Sequence, residues 1–137
     1  DWGTDRMGMT REQILDKVRS VLVDALAVDD ADVTPGASLT RDLGAESIDF
    51  LDIQFKLEQA FGFKIAQGEM FPDDLMKNPD IVKEGKLTPD GLSLVKTRLP
   101  HVDFSQFEKD PQISRLGALF TVGAVVSFVE RKLAKAA

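Results

Sequence analysis

Apolar residues recur at helical spacing in four stretches of the 137-residue chain, and these stretches predict its helices. Ile14, Val18, Val21, Leu22, Ala25 and Leu26 share one face. Thr10, followed by Gln13 three residues later, supplies a capping box, so the first helix is expected from about Arg11 to Leu26. A long connection, Ala27 to Glu46, follows and is broken by Thr34-Pro35-Gly36. Its few apolar side chains, Val28, Val33, Leu39 and Leu43, are the expected pins to the core. The second helix is expected from about Ser47 to Phe61, stopped by Gly62. It carries two apolar stripes: Phe50, Ile53, Leu57 and Phe61 on one face, and Ile48, Leu51 and Phe55 on another. Two assignments stay open for the second stripe, burial between neighbouring helices or partial exposure as a docking stripe.

Between Ala66 and Arg115 the periodicity weakens, and Pro72, Pro79, Pro89, Pro100 and Pro111 exclude one long helix. The clearest element there starts at Thr88, with Pro89 suited to the first helical position, continues through Leu92, Leu94, Val95 and Leu99, and stops before Pro100. Weaker patterns suggest short helices around Gly68 to Met76 and Ser105 to Lys109. The last helix, about Thr121 to Lys135, aligns Val122, Val125, Val126, Val129 and Leu133. Arg131, Lys132 and Lys135 lie in its final turns, where cations complement the helix dipole. No strand series, repeat or low-complexity tract stands out, so the fold class is all-α.

Length and a 43% hydrophobic content allow one core and one domain, residues 10–137, after a loose segment 1–9 that lacks a secretory signature. Since the chain starts at Asp1, its extreme N-terminus is expected to be trimmed or processed. The most apolar segment, Leu116 to Val129, is shorter than a transmembrane helix requires. With no cysteine, disulfides and thiolate metal sites are excluded. These features lead to the expectation of a soluble, cytoplasmic monomer. Between Asp29 and Glu58, eight acids face two bases, a local charge of −6 that equals the net charge of the whole chain. An acidic face of this kind attracts basic protein partners and repels nucleic acid.

That acidic region contains Asp42-Leu43-Gly44-Ala45-Glu46-Ser47-Ile48-Asp49-Phe50-Leu51-Asp52, a serine opening a helix with a glycine three residues upstream. The motif resembles the prosthetic-group attachment site of acyl carrier proteins. The resemblance covers Arg11 to Ile65 and the segment from Thr121-Val122-Gly123 onward, about half the chain. It implies an acyl-carrier-like helical bundle with a long loop between the first two helices and a partly helical insertion, about 66–118, before the last helix. Family members close much sooner after the equivalent of Ile65, so this insertion is a departure; it could wall a larger pocket, form a partner surface or decorate the fold. Asp49 to Ile53 and Ala60 to Ile65 look closest to specialised carriers of long or hydroxylated acyl chains in lipid A synthesis.

The resemblance further implies covalent 4'-phosphopantetheine, donated by coenzyme A, on Ser47. Ser47 as N-cap would offer backbone N–H groups and the positive helix end to the phosphodiester, and Gly44 would supply an unusual dihedral. Asp42, Glu46, Asp49 and Asp52, with Ile48 and Leu51, are the expected contacts for a phosphopantetheinyl transferase and for synthases and acyltransferases with basic docking surfaces. Phe50, Ile53, Leu57, Val125 and Val129 are candidates for an acyl pocket, a role that overlaps with ordinary core. A lone helix-starting serine is most often a plain cap, and solvated acids at a helix start commonly serve only the dipole. His101, the chain's only histidine, reads as a surface or structural residue. No catalytic residue and no metal site is expected. The competing readings are a carrier for general fatty-acid, polyketide or aminoacyl synthesis, a cofactor-free adaptor that keeps the fold, and a small hydrolase for which no base can be named.

Overall fold

The computed structural model describes residues 9–66, 68–71 and 78–136. Helix α1, Arg11–Leu26, begins as expected. The Gln13 N–H donates to Thr10 Oγ1 at 3.1 Å, while the Thr10 N–H donates to Gln13 Oε1 at 2.8 Å. It buries Ile14, Val18, Val21 and Leu22 and packs against two further helices, α2 (Ser47–Phe61) and the closing helix (Val122–Ala136). Gly62 ends α2 in the left-handed region at φ 75°.

The connection between α1 and α2 is held at both ends of its path. Val33, Leu39 and Leu43 are buried and Val28 is partly buried, so the four apolar residues act as pins. Backbone bonds tie the loop to the start of the closing helix: Leu39 N–H to Phe120 O at 3.0 Å, Val122 N–H to Ala37 O at 2.9 Å and Gly123 N–H to Pro35 O at 2.8 Å. One short 3-10 turn, Asp30–Asp32, was not expected.

In the segment 66–118 the structure adds and corrects. Helix α3, Pro89–Arg98, is capped by Thr88, whose Oγ1 accepts the Gly91 N–H at 3.0 Å. Before it lies an unanticipated hairpin, β1 (Val82–Lys83) and β2 (Lys86–Leu87), with Val82 opposite Leu87. Its two-residue turn has positive φ at both Glu84 (54°) and Gly85 (78°), the conformation that matches strand twist. Two-residue strands are too short to show alternation in sequence. The short helix expected at Ser105 to Lys109 is a 3-10 turn, Phe107–Lys109, and a second such stretch, Ile113–Leu119, precedes the closing helix, α4, Val122–Ala136. Of the short helix expected at Gly68 to Met76, Gly68–Phe71 form turns and bends, and residues 72–77 lie outside the described residues.

The insertion is not decoration. Met70, Phe71, Ile81, Leu87, Val95, Leu99, Val102, Phe104, Phe107 and Leu116 are all buried in the same cluster as the core residues of α1, α2 and α4. His101 is also buried: its Nε2 lies 3.1 Å from Met70 O, and its ring meets Phe128 edge-on at 5.0 Å. It is a structural residue rather than a surface one. Burial pushes its pKa below the ordinary histidine value, and the Met70 carbonyl opposes this only in part, so the ring is held neutral.

Candidate functional site

The site forms where the pinned loop turns into α2. Gly44 adopts φ +73°, a left-handed conformation that side-chain-bearing residues rarely adopt, and an added Cβ there would meet nothing within 4 Å. Glycine is therefore needed for its dihedral and not for close approach. Ala45 is buried and its N–H donates to Leu39 O at 2.8 Å, which fixes the chain just before the helix.

Ser47 is the first helical residue and not the cap. Glu46 occupies the N-cap with extended backbone (φ −110°, ψ 171°), and its N–H donates to the Asp49 carboxylate at 2.8 Å. The Asp49 carboxylate thus takes over helix-start satisfaction that the sequence suggested for the serine. The consequence is useful, because the Ser47 side chain is released from capping. Ser47 is exposed, and among the described residues no hydrogen bond engages its hydroxyl. The Asp49 N–H is taken up by Glu46 O at 2.9 Å, and the positive end of the α2 dipole favours an anion at this position.

From the hydroxyl an apolar strip runs down the helix. Ser47, Leu51 and Phe55 succeed one another at four-residue spacing, with Ile48 beside them. Ile48, Leu51 and Phe55 are 75%, 68% and 58% exposed, which assigns the second stripe to solvent and not to a helix interface. The first stripe is inside: Ile53, Leu57 and Phe61 are buried and Phe50 is half-buried.

The acids divide by task. Glu46, Asp49 and Asp52 follow one another at three-residue spacing along the same helix, Glu46 and Asp52 exposed and Asp49 partly so. Asp42 is exposed but uses one oxygen to accept the Ser38 N–H at 2.7 Å, so it also braces the loop. Asp52 lies 3.7 Å from Lys56, whose Nζ is closer to Asp24 of α1 at 3.0 Å. The Asp24 hydrogen bond and charge raise the Lys56 pKa. Glu58 is spent on the Ile65 N–H at 2.7 Å.

Ile53, Leu57, Val125 and Val129, four of the five proposed pocket residues, are 0–2% exposed within one core cluster, and Phe50 packs on that cluster. Two aromatics from outside the motif join them, with Phe71 4.5 Å from Phe50 and 5.3 Å from Phe120. The sequence carried a faint signal for Phe71, a large apolar residue directly before Pro72, but no periodicity to place it beside α2.

A family model for the phosphopantetheine attachment site matches residues 16–82, from within α1 through α2 to the first strand of the hairpin. The acyl carrier protein of Rubrobacter xylanophilus is 44% identical over 61 residues, covering 44% of this chain and 75% of that protein. Those of Petrotoga mobilis (39% over 62 residues, 45% and 73%) and Thermotoga maritima (39% over 61 residues, 44% and 75%) are similar over comparable spans. The chain belongs to the acyl carrier protein family. No solved structure gives a significant match.

Membership makes this carrier a handler of acyl groups rather than a catalyst, with covalently attached 4'-phosphopantetheine as its cofactor. The group supplies a flexible arm whose terminal thiol holds acyl chains as thioesters. The residues present fit such a group: an exposed hydroxyl, engaged by no hydrogen bond among the described residues, at the first position of a helix. The family match ends at Val82, so α3, the 3-10 stretches Phe107–Lys109 and Ile113–Leu119, and α4 lie outside it. Among the described residues, no helix is long and apolar enough to cross a membrane.

Proposed function

We propose that Ser47 is the residue that receives phosphopantetheine from coenzyme A, and that the α2 face below it is what a phosphopantetheinyl transferase and acyl-handling synthases and acyltransferases dock on. The observation that carries this reading is the exposed Ser47 hydroxyl, released from capping by Asp49 and continued by the exposed Ile48, Leu51 and Phe55. Glu46, Asp49 and Asp52, with Asp42 in the loop, offer charge to basic clefts, and the apolar strip offers area to bury. The loaded chain would shelter against Phe50, Ile53, Leu57, Val125 and Val129, each buried methylene contributing about 0.8 kcal/mol. The same reading puts the carrier in the cytoplasm with its coenzyme A donor.

The narrower cargo, a long or hydroxylated chain destined for lipid A, draws its support from Asp49 to Ile53 and Ala60 to Ile65. The thioester-bound group on protein from the native host would decide between it and a general fatty-acid, polyketide or aminoacyl cargo. For the attachment itself, intact-mass measurement after incubation with coenzyme A and a transferase should show one added arm on the wild type and none on Ser47→Ala. A wild type left unmodified under conditions that load a control carrier would refute the proposal.

A further inference from the structure

The opposite sign of charge gathers at a second place. Arg98 and His101 from the insertion and Arg131, Lys132 and Lys135 from α4 line a recess of about 60 Å³, with Glu69 at its edge. One water needs roughly 10–15 Å³ of such space, so the recess has room for a small oxyanion. We infer that this recess binds a phosphate-class oxyanion, bridging the insertion and the closing helix.

Three features carry the inference. Glu69, the one acid among the described lining residues, is already committed: its carboxylate takes Lys132 Nζ at 3.1 and 3.2 Å and the Ala66 N–H at 2.9 Å. Arg131 and Lys135 are exposed, sit four residues apart on one helix, and pair with no acid among the described residues. Like charges at that spacing repel, and an anion between them removes the repulsion. Finally, His101 Nε2 is fixed on Met70 O, so the neutral ring donates there and leaves Nδ1 as an acceptor that would receive a hydrogen bond from a protonated oxyanion.

Helix ends must be counted against this. The C-terminus of α4 contributes about half a negative charge, whereas that of α3 is met by its own Lys96 and Arg98. Arg131 and Lys135 supply two positive charges, so among the described residues the balance stays positive by more than one unit without counting Arg98. Lys132 is held in place by Glu69 and by Phe63, whose ring centroid is 5.6 Å from Nζ, so one wall of the recess is already ordered.

His101 makes the test local, since it gives the single histidine ring signal of the chain. The full chain at constant pH near neutrality is titrated with inorganic phosphate and, separately, with sodium chloride at matched ionic strength, following the ring resonances by NMR. The expected result is a saturable shift with phosphate alone. It should be weakened about tenfold in Arg131→Gln/Lys135→Gln, roughly two exposed charge contacts. Lys83→Gln/Lys109→Gln removes the same charge from exposed positions outside the lining and should bind as the wild type does. Equal shifts with chloride, no saturation, or undiminished binding in the Arg131/Lys135 variant would each overturn the site. Unchanged circular dichroism in both variants establishes that the comparison is between folded proteins.

Discussion

Gly91→Ala is the sharpest test of whether the insertion belongs to the same folding unit as the carrier elements. On helix propensity alone the change should help, because alanine is favoured over glycine in a helix by about 1 kcal/mol. The structure opposes this gain. A Cβ at Gly91 would lie 2.5 Å from Ile81 O and 2.7 Å from Ile81 Cβ, whereas ordinary contact begins at 3.4 Å. Ile81 cannot easily retreat: its side chain is buried, and its carbonyl accepts the Thr88 N–H at 2.9 Å beside the α3 cap. Overpacking costs about 1–3 kcal/mol, and loss of the Thr88 bond adds about 1 kcal/mol. The net expectation is a destabilisation of about 1–3 kcal/mol. Urea unfolding followed by far-ultraviolet circular dichroism should show a lower midpoint in one cooperative transition. A midpoint raised above wild type would mean that propensity wins and that α3 does not rest on Ile81; an unchanged α2 transition beside a separate weaker one would mean that the insertion folds apart.

Other expectations address the site and the buried histidine. Gly44→Ala places a side chain at φ +73° in open space, so it should cost about 1–2 kcal/mol through backbone strain alone, with Gly44→Asn costing less; equal urea midpoints for Ala and wild type would refute the dihedral argument. Phe55→Glu, exposed on α2, should leave stability within about 0.5 kcal/mol while lowering kcat/KM for transferase loading at least tenfold, and loading at the wild-type rate would remove Phe55 from the docking strip. For His101 the folded pKa lies below the unfolded value near 6.5, so the unfolded chain binds the extra proton. Its contribution is therefore fully present above the unfolded pKa and is lost as pH falls from there toward the folded pKa. The slope cannot exceed about 1.4 kcal/mol per pH unit for one proton. Denaturation midpoints between pH 8 and 5 should show this loss, and a His101→Phe variant should flatten it; a wild-type midpoint flat across that window would contradict a neutral buried ring.

The sequence disclosed most where one local rule acted alone. The capping box at Thr10, the Pro89 start and the Gly62 stop set helix ends to within a residue, since each is decided within one turn of chain. It disclosed less where two rules competed. Ser47 and Glu46 both precede the apolar run, and serine is the better cap by preference. Asp49, three residues after Glu46, closes the bond back to the Glu46 N–H and moves the cap from Ser47 to Glu46 while the helix still starts at Ser47, a choice made by a pair rather than by a residue. The second stripe of α2 was undecidable from periodicity, because Ile48, Leu51 and Phe55 have the spacing of a buried face whether or not a neighbour covers it. The hairpin, the 3-10 stretches and the burial of His101 depend on contacts between residues far apart in sequence, such as His101 with Met70 and Leu87 N–H with Pro111 O at 2.9 Å.

Those long-range contacts also explain why the insertion fails to look like one. A small helical carrier domain has little apolar area to bury and is marginal in proportion. Here Phe71, Phe104, Phe107 and Leu99 from residues 66–118 are buried in the cluster that holds Ile53, Leu57, Val125 and Val129. The added segment therefore enlarges the core instead of capping it. The exposed strip of α2 gains nothing from that enlargement and stays open to solvent, with 58–75% exposure at Ile48, Leu51 and Phe55. Stability can thus accumulate on one side of α2 without closing the side on which Ser47 stands. A carrier needs that division: a rigid interior against which an apolar chain can be stored, and a hydroxyl that any partner enzyme can reach without unfolding its surroundings.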